Sequence, residues 1–436
     1  MKISTYNSIL PFEDKYSLYN SFTNKVLFLE HDLKELLISA QNEGITKLKD
    51  FHPSFYNYLI EEEFIIEDEL DELQKVKDLS YKIDNTEENF VLTINPTMNC
   101  NFKCWYCYES HINDSKLGFN IIDSIKKLID NLLKKEKLKH ITLSFFGGEP
   151  LLYFYQSVIP LIDYLVEKCI EYKKSQNISF TTNGYLINRK FIKYFIQKGL
   201  FISLQITLDG YGEEHNKVRY VSKTKGSYNE IISNIHNLLE HDNFSVRARI
   251  NYTADNINNC FKIIEDFSSL PNFKRKRLLF DFHRVWQDDQ NDNISKTVDK
   301  NMSIIHQNGF KALSSYSVDN VKNSCYADKI NSATINYNGD LFKCTARDFV
   351  TQNREGYLSK DGILIWENNS LERRMNAKFK NKPCLECKIL PLCNGGCSQH
   401  AIEHIESGEE YCVYFGDIEE KNKIIYNKIN EILDGN

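Results

Sequence analysis

The chain has 436 residues, 42% hydrophobic and 26% charged, which is the composition of a globular protein too long for one ordinary domain. Its formal net charge of −6 argues against a nucleic-acid partner held by phosphate neutralisation. No run of eighteen apolar residues suggests a membrane span, and the opening MKISTYNSILPFEDKY has no apolar core or cleavage site, so a cytoplasmic protein without a membrane partner is expected.

In chain order, residues 1–88 come first. YSLYNSFTNKVLFL (Tyr16 to Leu29) predicts a strand pair about a Thr23-Asn24 turn. Short amphipathic helices follow, the first near Asp32 to Asn42, and then an acidic run whose apolar side is Phe64, Ile65, Ile66 and Leu70. Strands with three short helices suggest a small winged-helix-like module. From Phe90 strands and helices alternate. FVLTI, HITLSFF, NISFTT, LFISLQITL, SVRARINY and RLLFDFHRV read as strands. Helices fall at the stripe Ile121, Ile125, Leu128, Ile129, Leu132, at Val158 to Tyr172, and near Arg189, Tyr228 and Asn258. Such βα units build a full or partial barrel of parallel strands over 89–287. Residues 288–320 read as a polar linker with one helix. Residues 321–436 are cysteine-rich and close on the amphipathic helix DIEEKNKIIYNKINEIL.

Twelve cysteines in a reducing compartment point to metal or redox work rather than disulfides. Cys100, Cys104 and Cys107 crowd into NPTMNCNFKCWYCYES, just after the first barrel strand. An Fe4S4 cluster normally takes four cysteines, so three would leave one iron open to a ligand. On spacing alone a zinc site remains an alternative, with His111 as the nearest fourth donor. Cys169 continues the helical stripe Val158, Ile162, Leu165, and Cys260 is spaced with Ile263, Ile264 and Phe267; both read as core thiols.

C-x3-C-x2-C with an aromatic, Tyr106, before the last cysteine resembles the signature of radical S-adenosylmethionine (SAM) enzymes. FGGEP at the end of the next strand, TLDG (Thr207 to Gly210) and HNKVR (His215 to Arg219) resemble further segments of that family. The resemblance implies a [4Fe-4S] cluster on Cys100, Cys104 and Cys107 that binds SAM through its amino and carboxylate groups. It also implies cofactor contacts from Tyr106 and Gly148, from Thr207 on the ribose side, and from Arg219 on the carboxylate, where a planar guanidinium pairs bidentately.

Cys325, Cys344, Cys384-x2-Cys387-x5-Cys393-x3-Cys397 and Cys412 resemble the SPASM domain of peptide-modifying radical SAM enzymes. That family places Cys325, Cys344 and Cys397 on an inner auxiliary cluster and Cys384, Cys387, Cys393 and Cys412 on an outer one, three [4Fe-4S] clusters in all. Seven thiols leave the inner cluster one donor short. The implied fold is α/β: a partial (β/α)6 TIM-type barrel between the winged-helix-like module and the SPASM domain. The implied function is maturation of a ribosomally made precursor peptide. The N-terminal module would hold the leader, electrons would come from a donor such as flavodoxin or ferredoxin, and the product would be a crosslink, with a thioether favoured over a carbon–carbon bond. An anaerobic sulfatase-maturating enzyme is a competing expectation. That family usually has Asp after the second SPASM cysteine and a further Cys six residues after the first, where this chain has Thr345 and Asn331. A non-enzymatic electron carrier would leave the GGEP, Thr207 and Arg219 segments without a purpose.

Overall fold

The computed structural model describes residues 1–288, 294–314, 324–414 and 416–433. Two compact units emerge, and neither is continuous in sequence. One comprises Met1–Thr86, Tyr316–Ile330 and Glu372–Asn436; the other comprises Glu87–Ser315 and Asn331–Leu371.

In the first unit β1 (Lys2–Ile3) pairs with β5 (Ile65–Ile66). The strands β2 (Asn7–Phe12), β3 (Lys15–Asn20) and β4 (Lys25–Leu29) form an antiparallel sheet in that order. The β3–β4 turn is the expected one. Asn24 takes φ 58°, and the Asn20 side-chain oxygen accepts the Phe22 and Thr23 N–H groups, both at 2.9 Å. The helices are α1 (His31–Glu43), α2 (Leu48–Phe51), α3 (Pro53–Glu61) and α4 (Glu72–Asp84). Successive side chains of a strand point to opposite faces. Leu18 and Leu29 accordingly pack with Leu37, Leu48, Phe55 and Leu59 of the helices. Tyr19 turns the other way, onto Ile389, Leu392, Ile424, Ile425 and Ile429 from the C-terminal part of the chain. Both faces of the small sheet are covered, and only its edges remain. On β2, Pro11 has no N–H to offer and its carbonyl accepts the Tyr426 hydroxyl at 2.9 Å, whereas among the described residues no strand pairs with the outer side of β4. A buried staple ties the pieces of this unit together: the Lys378 ammonium lies 2.9 Å from Asp328 and 3.3 Å from Asp84.

The second unit is built on an open eleven-stranded sheet. Its elements begin β6 (Asn89–Ile94), α5 (Phe119–Leu133), β7 (His140–Phe145), α6 (Ile159–Glu171), β8 (Ser175–Thr182), α7 (Arg189–Lys198) and β9 (Ile202–Leu208). They continue with α8 (Glu213–Val218), the short hairpin β10 (Tyr220–Ser222) and β11 (Lys225–Gly226), α9 (Tyr228–Leu239), β12 (Phe244–Tyr252), α10 (Asn272–Arg275) and β13 (Leu278–Arg284). The six strands expected from sequence are β6, β7, β8, β9, β12 and β13, each parallel to its neighbours, as in a partial TIM-type barrel. The helix expected near Asn258 is instead a run of tight 3-10 turns, Ile257–Phe267, which still buries Cys260, Ile263, Ile264 and Phe267. Cys169 is buried in α6. The segment 288–320, expected as a linker, is described only in part, because 289–293 and 315–323 lie outside the described residues. What is described includes α11 (Ser295–Gln307) and a further parallel strand, β14 (Lys311–Ser314), on β13. Lys-Ala-Leu-Ser is too short and too mixed to stand out as a strand; pairing with β13 makes it one.

Beyond Cys325 the chain divides. In the second unit β15 (Ser332–Ile335) adds to β6 in parallel, and β16 (Asp340–Phe342), β17 (Gly356–Leu358) and β18 (Leu364–Trp366) extend the sheet antiparallel. After α12 (Ser370–Met375) the first unit takes α13 (Lys382–Leu385), α14 (Leu390–Cys393), α15 (Ser398–Ser407) and α16 (Ile418–Leu433). Among the described residues no helix is long and apolar enough to cross a membrane.

Candidate active site

The loop after β6 carries Cys100, Cys104 and Cys107 to the C-terminal ends of the parallel strands, where barrel enzymes keep their chemistry. It is held locally. Thr97 donates to the Ser115 carbonyl at 2.5 Å and accepts the Asn99 N–H at 2.8 Å, and Phe102 is buried edge-on to Tyr185. A cavity opens there. Its wall includes all three thiols, Tyr106, Gly148, Thr207 and Arg219, so the sequence-chosen residues of this region share one site.

Several of them are also engaged by the protein itself. A Cβ on Gly148 would lie 2.2 Å from the Asn99 carbonyl oxygen, and one on Gly147, at φ 84°, would lie 2.7 Å from that of Thr97. The glycines of FGGEP thus admit the backbone of the cysteine loop, and the Glu149 N–H donates to the Asn99 carbonyl at 2.8 Å. The Glu149 carboxylate is fully buried and accepts from Leu151 N–H at 2.9 Å and from the Thr182 hydroxyl and Asn183 N–H at 2.8 Å, bolting β7 to β8. Burial raises its pKa against these bonds.

Arg219 is held by Asp209, the acid of TLDG, through a buried ion pair at its Nε. Its Nη2 donates to the Tyr106 hydroxyl at 2.8 Å, Asn251 donates to the same oxygen at 2.9 Å, and the hydroxyl donates to Asp209. Tyr106 therefore anchors the thiol loop to the barrel wall. Burial chiefly, and Asp209 after it, raise the Tyr106 pKa. The His of HNKVR is structural in this arrangement. His215 is fully buried, its Nδ1 accepts the Asp209 N–H at 3.1 Å, and its Nε2 lies 3.0 Å from Ser227 Oγ. Burial, and Arg219 after it, hold its pKa well below the usual range, so it is neutral.

Burial pushes the Cys100 thiol up to about 12 and Cys107 to about 11, and raises Cys104. Three protonated thiols around one opening suit a cationic iron site that replaces their protons, and the N–H of Phe102 already points at Cys100 Sγ at 3.4 Å. His111 lies 3.6 Å from Cys107 Sγ. Among the described residues no three His, Cys, Asp or Glu side chains close to the spacing of a single metal ion.

In the first unit Cys384, Cys387, Cys393 and Cys412 line one small cavity with Tyr411 and Leu390. Asn394, Gly395 and Gly396 take φ of 53°, 75° and 76° in succession, which curls the CNGGC backbone around it. Burial, then Cys384, Cys387 and Cys412 in turn, push Cys393 up to about 12. Thiols that disfavour one another's ionisation fit a bound iron–sulfur group, whose positive irons relieve that repulsion. Asn381 steadies the rim, donating to Cys384 Sγ at 3.1 Å and to the Tyr411 carbonyl at 2.7 Å. Of the remaining three, Cys325 and Cys397 belong to the first unit and Cys344 to the second. None of the twelve cysteines forms a disulfide.

Sequence reasoning passed over Asp209, Glu149, Arg249, Asn251 and the stacked pair Tyr108–Trp286, whose ring centroids are 5.6 Å apart. A signal existed in SVRARINY. Val246, Ala248, Ile250 and Tyr252 are buried and apolar while Arg247, Arg249 and Asn251 alternate with them, as in a strand lining a polar barrel mouth.

A thiol loop set over parallel strand ends, with a glycine turn packed beneath it, defines a radical SAM domain. Residues 94–252 match the model of the Radical SAM superfamily, so the chain carries a radical SAM domain and is an enzyme, with a [4Fe-4S] cluster and SAM as the cofactors of that domain. A cysteine-type anaerobic sulfatase-maturating enzyme of Clostridium novyi is 25% identical over 74% of this chain and 92% of its own length. The radical SAM cyclopropyl synthase TigE of Paramaledivibacter caminithermalis is 22% identical over 90% of this chain and 88% of its own. In fold the chain resembles Streptococcus suis SuiB, solved bound to its precursor peptide SuiA. The TM-score is 0.52 at 19% identity, covering 96% of this chain and 99% of SuiB.

Proposed function

We propose that the chain is a peptide maturase that installs an intramolecular crosslink in a ribosomally made precursor. The observation that carries this reading is the single cavity uniting Cys100, Cys104 and Cys107 with the polar strand ends that face them. In this reading those three thiols hold the SAM-binding cluster, Cys384, Cys387, Cys393 and Cys412 an outer auxiliary cluster, and Cys325, Cys344 and Cys397 an inner one. When bound, cluster and SAM supply a 5′-deoxyadenosyl radical that takes hydrogen from substrate carbon. The chain's own side chains orient the peptide and exclude water: Thr207 and Gly148 line the cofactor's side of the cavity, and the Tyr106–Asp209–Arg219 network keeps the thiol loop in place.

The leader has a ready seat. The β2–β3–β4 sheet is packed on both faces, β2 is blunted, and β4 can accept a peptide strand through its backbone. Protection of residues 25–29 from hydrogen exchange on adding precursor is the expected result; unchanged exchange there would remove the leader role from this edge.

The inner set of three thiols is one short of four, and a cysteine of the peptide is the fourth donor this reading assigns. A thioether would then follow, one C–H and one S–H giving way to a C–S bond: one hydrogen leaves as an atom to the 5′-deoxyadenosyl radical, and the other as a thiol proton and an electron that the inner auxiliary cluster would accept. Mass spectrometry after thiol alkylation decides it, because a thioether leaves its donor cysteine unalkylated. Likeness to a cyclopropyl synthase favours a second reading, a carbon–carbon link, in which every peptide cysteine stays alkylatable. Formylglycine formation, suggested by the sulfatase-maturase relative, would convert a single residue and join none.

A further inference from the structure

Three arginines line the thiol cavity, and they are not equivalent. Arg219 is matched by Asp209. Arg284 has Asp288 at 3.1 Å. Arg249, on β12 beside Thr207 of β9 and Asp281 of β13, has only a neutral partner: its Nε donates to the Asn251 side-chain oxygen at 2.9 Å. Among the described residues no carboxylate reaches its guanidinium within ion-pair distance. The nearest carboxylate in register, Asp281, is held by His283 at 3.0 Å and Arg247 at 3.4 Å. Burial lowers the Arg249 pKa, with Arg219 adding to the effect, and the pulls of Tyr108 and Asp281 do not make up for it. A half-buried, uncompensated guanidinium is costly in the empty protein and is repaired by an incoming anion. Beside it the rings of Tyr108 and Trp286 stack, Trp286 largely exposed at the rim, which gives a flat apolar wall next to the charge.

We propose that Arg249 is a specificity-determining residue: it receives the carboxylate of an aspartate or glutamate side chain in the peptide segment that enters the cavity, with the stem of that side chain against Tyr108 and Trp286. The proposal rests on the peptide-maturase reading and names its substrate class as a core peptide with an acidic residue close to the site of modification. The carboxylate of SAM is the competing anion, and the test separates the two.

The reconstituted full-length enzyme is titrated with N-acetyl-glutamate N-methylamide and with its neutral counterpart, N-acetyl-glutamine N-methylamide, binding being followed by ligand-observed NMR. The wild type should prefer the acid by about tenfold, the worth of one charge-assisted pair in a partly wet site. Arg249→Gln should erase the preference and Arg249→Lys should keep part of it, since lysine supplies the charge without the fork. Equal binding of the two probes by wild type would overturn the proposal whatever the variants do. So would an acid preference that survives Arg249→Gln. SAM binding is measured in parallel by equilibrium dialysis, and its loss in Arg249→Gln would give the anion to the cofactor and likewise overturn it. Failure of the maturase reading would appear elsewhere, as the absence of any peptide product with the wild-type enzyme, and would leave the probe comparison readable.

Discussion

Asp209→Asn is the substitution that bears most directly on how the cofactor loop is held. The side chain is 1% exposed, that of its partner Arg219 is 11% exposed, and the two are joined through Tyr106, whose hydroxyl also takes a hydrogen bond from Asn251. The amide keeps the volume and removes the charge. It can accept with its oxygen from either Tyr106 or Arg219, but its NH2 then faces the other donor. Breaking one side of a buried ion pair leaves the other uncompensated and costs about 3–5 kcal/mol. For a unit of this size each kcal/mol lowers the melting temperature by about 2–4 °C, so a fall of roughly 6–20 °C is expected. Scanning fluorimetry of the anaerobically reconstituted protein measures it. Tyr106→Phe and the double variant complete a cycle, and the coupling should lie within about 0.5–3 kcal/mol because the groups share hydrogen bonds. A melting temperature within 2 °C of wild type (about 1 kcal/mol or less), or additive single variants, would refute the claim that this network anchors the loop. Arg219 would then be available to a ligand, as its place in HNKVR first suggested.

Other outcomes follow from the same geometry. Replacing Cys100, Cys104 and Cys107 together by Ala should remove one cluster's worth of iron and all SAM cleavage, measured as 5′-deoxyadenosine, while the cavity of Cys384, Cys387, Cys393 and Cys412 stays intact; residual full cleavage would sink the assignment. Gly148→Ala drives a Cβ to 2.2 Å from the Asn99 carbonyl oxygen, a backbone atom that cannot swing aside. A loss toward the upper end of about 1–3 kcal/mol and impaired iron loading of that loop are expected, and normal loading would count against the packing. Lys378→Met leaves Asp84 and Asp328 buried without their cation and should cost about 3–5 kcal/mol in chemical denaturation. Burial opposes the Lys378 charge, but Asp328 and Asp84 outweigh it and hold its pKa above the ordinary value. Its contribution is therefore complete below the ordinary lysine pKa and fades as pH rises through the raised one, a fading that the Met variant should lack.

The strands of the barrel were legible because each is a short β-branched or aromatic run followed by a 3.6-period stripe. The thiol loop was legible because spacing alone marks it. What escaped notice was fixed by tertiary partners. β2 and β14 carry little pattern of their own and are made strands by β3 and β13. The helix near Asn258 has the right stripe, yet Ile257–Phe267 settles into 3-10 turns that bury the same side chains. Arg219 was visible as an arginine suited to a carboxylate; that Asp209, ten residues earlier, pairs with its Nε depends on how the TLDG turn folds back. Glycines 147 and 148 were legible as a place of close backbone approach, but that a Cβ at either would meet the carbonyls of Thr97 and Asn99 in the cysteine loop depends on tertiary packing.

The discontinuity of the first unit sets a timetable for biosynthesis. Tyr19 shares its core with Ile389, Leu392 and Ile425, so the first sheet to leave the ribosome must wait for the last helices. At about 5–20 residues per second the delay over some 360 residues is on the order of 20–70 s. Through that interval one apolar face of the nascent sheet is uncovered, and the thiols at 384–412 do not yet exist. Any metal that this cavity takes must therefore wait until Cys412 has been made.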